Sequence, residues 1–211
     1  ASFKTDLVPL LDHLVAQVGK LRVTVIEQEA AAADLAGFDE VVVATGATRG
    51  AIELGPALPA VHATDALAGA ALPGGEVVVV GGGFTGAETA IHLAESGRTV
   101  TLVEATDTLM NGDAFTDQMT YGERLAASGV TVLTGTRATA TTAEGVAVVD
   151  AGGAARVLPA GVVIVAVGSA CNTSLADALT GTVAVRAVGD CTGSGKLYDA
   201  LHQAYTAALA V

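Results

Sequence analysis

Apolar positions along the chain follow two rhythms, one of helical spacing and one of strand spacing. In residues 6–19 (DLVPLLDHLVAQVG), Leu7, Leu10, Leu11, Leu14, Val15 and Val18 share one helical face, and Gly19 is a stop. LRVTVIEQ (21–28) alternates as a strand does. GFDEVVVATGAT (37–48) holds a continuous β-branched run that ends at Gly46. Runs of that kind fit strands buried on both faces of a parallel sheet. The Gly-, Ala- and Pro-rich stretch from Arg49 to Pro73 reads as a loop and a domain crossing.

From Gly75 the pattern sharpens. EVVVV (76–80) predicts a strand, GGGFTG (81–86) a turn, AETAIHLAESG (87–97) a helix closed by Gly97, and TVTLVEA (99–105) a second strand. A helix around 116–128 and a strand at 130–135 follow. Residues 137–158 hold short alternating runs broken by EG and GG, the signature of an antiparallel meander. GVVIVAVGSA (161–170) repeats the ending of 41–47, an apolar strand finishing in a small residue and glycine. The repetition predicts two nucleotide-binding units of similar build, one inserted in the other. A last apolar run ends in Gly189-Asp190, followed by a Gly/Ser loop and a helix after Lys196.

The segment VVVVGGGFTGAETAIHLAESGRTVTLVEA carries the clearest chemistry. Gly81, Gly83 and Gly86 form G-x-G-x-x-G, which is weak by itself in a chain with 26 glycines but specific between a strand and a helix. Gly81 permits the tight turn, Gly83 lets a pyrophosphate approach the backbone, and Gly86 lets the helix pack on the sheet. Phe84 and Thr85 complete the turn at the helix N-terminus, where unpaired N–H groups favour an anion. Glu104, ending the next strand, is placed to accept hydrogen bonds from an adenosine ribose. A carboxylate there repels a 2′-phosphate, and no base follows it until Arg124, so the charge argument selects NADH over NADPH. Glu88, just inside the helix, has two readings: a favourable charge on the helix dipole, or a group near the nicotinamide. His92, on the same helix, reads as a surface or packing residue, and His13 and His62 have no partners that would make them ligands.

Composition narrows the classes. With 51% hydrophobic and 15% charged residues the chain has an ordered globular composition. A net charge of -12, with 10 scattered basic residues, gives no footprint for nucleic acid. No apolar run is long enough for a membrane span, and the first residues do not read as a signal peptide, so a cytoplasmic location is the default. Cys171 and Cys191 form no CxxC pair, which argues against a metal site or a redox dithiol and suggests packed or half-buried thiols.

These features resemble the glutathione-reductase-like superfamily of flavoproteins with two dinucleotide-binding domains. More closely, the chain is similar to the C-terminal half of the NADH:flavin oxidoreductase, 2,4-dienoyl-CoA reductase and trimethylamine dehydrogenase group. VVVATGA (41–47), VVVVGGGFTGAE (77–88), VVIVAVGSACNTSLADAL (162–179) and AVGDCTGSGKLYDALHQAYTAA (187–208) carry the likeness. It implies an α/β, Rossmann-like FAD/NAD(P)-binding fold with a small antiparallel meander. Residues 72–169 would bind NADH, through Gly168 among others, inserted between 1–71 and 170–211 of an FAD-type domain. Thr45 and Gly46 would approach the flavin, and Gly189 and Asp190 would meet the FAD, Asp190 accepting from a ribityl hydroxyl. The alternative for Gly189-Asp190 is a plain turn in which Asp caps the next segment. The helix after Lys196 would aim its N-terminus at the isoalloxazine, and His202 is a further candidate.

The resemblance also marks departures. Residues 1–75 contain no second G-x-G-x-x-G, so the FAD-type domain is expected to lack its first βαβ unit. No FMN-bearing TIM barrel and no iron–sulfur cysteine cluster are present. The exposed sheet edge this implies predicts association with the rest of a longer protein, with a TIM-barrel domain, or with a second copy in a homo-oligomer. Function is then expected as an electron-input module passing hydride from NADH to FAD. The alternative is a non-catalytic ADP- or dinucleotide-binding module, as when ADP occupies the corresponding flavin site in trimethylamine-dehydrogenase-like proteins. A disulfide reductase ranks last, because it needs two close cysteines beside the flavin.

Overall fold

A computed structural model of the protein describes residues 3–193 and 195–211. Ala1 and Ser2 of the N-terminal segment, and Ser194 of the Gly/Ser loop, lie outside the described residues. Along the chain, helix α1 (Val8–Lys20) and a short α2 (Ala32–Leu35) precede strands β1 (Glu40–Val43), β2 (Ala47–Arg49) and β3 (Ala60–His62). Then come α3 (Ala63–Leu67), β4 (Val77–Val80), α4 (Phe84–Glu95), β5 (Val100–Val103), α5 (Phe115–Ala127) and β6 (Thr131–Leu133). The remainder is β7 (Thr136–Thr142), β8 (Gly145–Asp150), β9 (Ala155–Pro159), β10 (Val162–Val165), β11 (Ser169–Cys171), α6 (Ser174–Leu179), β12 (Ala184–Ala187) and α7 (Leu197–Ala208).

The chain divides into two compact units. One comprises the residues up to Val8 with Gly50–Gly168, the other Pro9–Arg49 with Ser169–Val211. In the first unit a five-stranded parallel sheet has the order β3-β10-β4-β5-β6. The four valines of β4 are all buried because both sheet faces are covered. Val77 and Val79 pack with Ile91 of α4, Leu102, Leu125 of α5 and Ile164. Val78 and Val80 pack with Val146 and Val148 of the antiparallel meander β7-β8-β9. Strand order reverses at β4: β5 and β6 lie on one side, while β10 returns on the other. That reversal opens a crevice beyond the carboxyl ends of β4 and β10, the usual ligand position in such sheets.

The second unit is thinner. β1 pairs in parallel with β12, and β2 pairs antiparallel with β11. Val43, Leu179 and Cys191 form its buried centre, and Glu40 and Arg186 make an ion pair across the β1–β12 sheet.

The sequence and the structure part in three places. Residues 21–28 form no strand despite their alternation: among the described residues no other segment pairs with them, and Val25 and Ile26 are exposed (66% and 68%). Alternation specifies a strand only where a partner satisfies its backbone groups. The stretch 49–73 is not all loop, since β3 and α3 lie in it. β3 is recruited by pairing of Ala60–His62 with Val163–Val165. Finally, α4 begins at Phe84, with Gly83 as N-cap, three residues before the predicted start.

Leu102 is fully buried. Leu102→Ala should therefore lower the free energy of unfolding by about 2–5 kcal/mol, whereas Ile26→Thr should change it by about 0.5 kcal/mol or less. Denaturant unfolding of the two variants checks this.

Candidate functional site

The crevice at the strand reversal is a cleft of ≈ 280 Å³ lined by Gly81, Gly82, Gly83, Glu104, Arg137, Ala166 and Gly168, among others. Three backbone segments meet at its floor. Gly81 has φ +109°, and a Cβ there would strike the Ala166 carbonyl oxygen at the end of β10. A Cβ on Gly86 would strike the carbonyl oxygen of Gly81, so the first turn of α4 rests directly on the end of β4. Gly83 differs: a Cβ there would meet nothing within 4 Å. It faces open space at the start of α4, a 12-residue helix with no side chain capping its N-terminus. The first-turn N–H groups and the helix dipole thus border a cavity with room for an anion.

Glu104 closes the other side. Its Oε2 accepts from the Gly82 N–H (2.6 Å), and its Oε1 accepts from the Thr106 N–H (2.7 Å) and hydroxyl (2.8 Å). Burial alone would raise this carboxyl. The N–H groups of Thr106, Gly82 and Ala105 and the Thr106 hydroxyl outweigh burial and hold it below its ordinary value of 4.5. The group is an ionised acceptor at neutral pH. A dinucleotide fits these features: a glycine opening for pyrophosphate, and a carboxylate one strand away for a ribose diol.

The remaining residues singled out around this turn lie elsewhere. Glu88 is buried, ion-paired with Lys4, and accepts from the Tyr121 hydroxyl (2.8 Å). It does not line the cleft. Burial and then the bond to Glu88 push the Tyr121 phenol up. Phe84 packs edge-on against Tyr121 with ring centroids 5.3 Å apart. The Thr85 carbonyl accepts from the Thr89 hydroxyl (2.6 Å). Gly168, with φ +52°, does line the cleft. Gly82, Thr136 and Arg137 are cleft residues that the sequence reading did not single out. Gly82 sits inside the glycine run, where a Cβ would crowd Glu104 and Leu109. Arg137 arrives from the meander, far along the chain, and no local pattern marks it.

In the second unit a cleft of ≈ 390 Å³ is lined by Gly46, Val188, Gly189, Asp190, Lys196 and Ala200, among others. Gly46 and Gly189 both have positive φ, +70° and +72°. Asp190 Oδ1 accepts from the Gly195 N–H (3.2 Å), the capping role weighed for it above. The Lys196 N–H at the start of α7 donates to Asp199 Oδ2 (2.8 Å). Thr45 lies outside this lining and donates to the Asn172 carbonyl (2.7 Å). His202 also lies outside it, on another side of α7, stacked on Tyr198. Cys191 is buried and Cys171, against expectation, is exposed; both are free thiols. Among the described residues no group of three His, Cys, Asp or Glu could hold a metal, and no helix is long and apolar enough to cross a membrane.

Residues 5–208 match the family model described as pyridine nucleotide-disulphide oxidoreductase, and the chain belongs to that family, whose members bind FAD and NAD(P). Among solved structures, 2-naphthoyl-CoA reductase in complex with 2-naphthoyl-CoA is 28% identical, with a TM-score of 0.80 over 90% of this chain and 30% of that one. A 6-hydroxypseudooxynicotine amine oxidase from Pseudomonas geniculata N1 is 25% identical, with a TM-score of 0.74 over 90% of this chain and 32% of that one. Bilirubin reductase from Mediterraneibacter gnavus (strain CC55_001C) is 44% identical over 72 residues, 34% of this chain and 11% of that protein. The chain thus spans about a third or less of the length of these proteins.

Two outcomes test the site. Gly83→Ala should fold as the parent does but weaken dinucleotide binding, whereas Gly86→Ala should destabilise the fold; thermal melting and calorimetric titration with NADH separate them. Because Glu104 has a depressed folded pKa, its stabilising contribution is complete above 4.5 and is lost as pH falls through the lower folded value. The melting-temperature gap between the parent and Glu104→Gln should therefore be full at neutral pH and close in acid below that value.

Proposed function

We propose that this chain is the NADH-binding, electron-input part of a flavin-dependent oxidoreductase of the NADH:flavin oxidoreductase, 2,4-dienoyl-CoA reductase and trimethylamine dehydrogenase group. The observation that carries the reading is the pairing of an open glycine at the α4 N-terminus with an ionised carboxylate at the end of β5. The likeness to 2-naphthoyl-CoA reductase and to the amine oxidase, both about three times the length of this chain, supports the assignment to that group.

Gly83 and the first turn of α4 hold the pyrophosphate by backbone N–H groups, with no side-chain cation required, while the Gly81 and Gly82 N–H groups brace the turn internally on Val103 and Glu104. Glu104 orients the adenosine ribose, and its charge disfavours a 2′-phosphate. Gly168 borders the same cleft. The second unit receives FAD around Gly46, Gly189 and Asp190. When bound, NADH supplies a hydride and FAD accepts it, so the protein need supply only alignment and exclusion of water. An FMN-bearing TIM-barrel domain in the same longer protein is the proposed recipient of the electrons.

Calorimetric titration should show NADH binding about tenfold or more tightly than NADPH, as expected for loss of a charged hydrogen bond; equal affinities would overturn the role of Glu104. The chain incubated with FAD, gel-filtered and then treated anaerobically with NADH should retain and bleach the flavin absorbance. Quantitative recovery of free FAD would instead support a dinucleotide-binding module without turnover.

A further inference from the structure

Glu104 is not the only charged group in the cleft of the first unit. Arg137 lines it too, and is its only base among the described residues. The meander carries it there: the Thr136 N–H donates to the Glu104 carbonyl (2.8 Å), which fastens the start of β7 to the end of β5. Alternation along β7 then buries Thr136 and Ala138 and leaves Arg137 between them exposed, at the rim of the cleft that all three line. Arg137 therefore follows directly on the residue that is fastened to Glu104.

Its charge is uncommitted. The Glu104 oxygens accept from Gly82 and Thr106 rather than from Arg137, and no described carboxylate forms an ion pair with Arg137. A guanidinium beside an adenosine has two uses. It can pair with a 2′-phosphate, or it can lay its plane on the face of the adenine ring. Glu104 weighs against the first, because a 2′-phosphate bound to Arg137 would be pressed against an ionised carboxylate on the adjoining strand. Ile52, Val103 and Ala138 line the same cleft and give a flat base apolar neighbours.

We infer that Arg137 is a specificity-determining residue that stacks on the adenine ring, so that Glu104 reads the ribose and Arg137 reads the base. The inference rests on the reading of this cleft as a dinucleotide site. It places the selectivity for an adenine dinucleotide on two elements: the strand following the glycine turn, and a meander strand outside the βαβ unit.

The test is calorimetric titration of the full chain, parent and Arg137→Ala, with NADH, ADP, 2′,5′-ADP and reduced nicotinamide mononucleotide. Arg137→Ala should weaken NADH and ADP by the same factor, about two- to thirtyfold, and leave reduced nicotinamide mononucleotide unchanged. Arg137→Lys, which keeps the charge and loses the plane, should restore only a minor part. Unchanged affinity for ADP in Arg137→Ala overturns the inference. So does a larger loss for 2′,5′-ADP than for ADP, or full rescue by lysine, since either identifies a phosphate contact. Failure of the parent chain to bind NADH or ADP overturns the dinucleotide reading itself, and is told apart because it appears before any substitution.

Discussion

The first unit depends on a backbone approach that no side chain would permit. The end of β4, the end of β10 and the first turn of α4 meet where Gly81 and Gly86 lack a Cβ. Any other residue at Gly86 would drive the helix off the sheet, and any other at Gly81 would collide with Ala166 as well as adopt a left-handed backbone. This close packing sets the crossing of α4 over the sheet and brings Ile91 against Leu102 and Ile164. The crevice above it is therefore a consequence of how the core is closed, not a feature added to a finished fold.

A carboxylate then ties the rim. Glu104 receives N–H groups from Gly82 on one loop and Thr106 on another, so one ionised side chain holds two turns in register. In a chain of net charge -12, attraction for an anionic ligand must come from oriented backbone dipoles and from the rare base. Positive-φ glycines line both clefts, Gly81 and Gly168 in the first unit and Gly46 and Gly189 in the second.

How much was legible depended on whether the determining contacts were local. The turn at 81–86 was legible because the tight turn at Gly81 and the helix packing at Gly86 both demand glycine within six residues. The meander was legible from alternation and its EG and GG breaks. LRVTVIEQ misled because alternation reports side-chain polarity, not the presence of a pairing strand. β3 was hidden because three residues in a Pro- and Ala-rich stretch become a strand only by pairing with β10. Glu88 could not be assigned from spacing: Lys4 and Tyr121, which hold it, lie far away along the chain. His202 shared a helix with cleft residues, but the rotation of α7 sets it on another side.

By itself the sequence determined the α/β character, the strand–glycine turn–helix unit and the acidic residue that follows it, because each is imposed by backbone geometry over a few residues. Only the tertiary structure decided which strands neighbour β4, that Glu88 is spent on an internal ion pair, and that Arg137 shares a cleft with Glu104. Those outcomes depend on pairing and packing between segments remote in the chain, where the energy lies in contacts that no local spacing encodes.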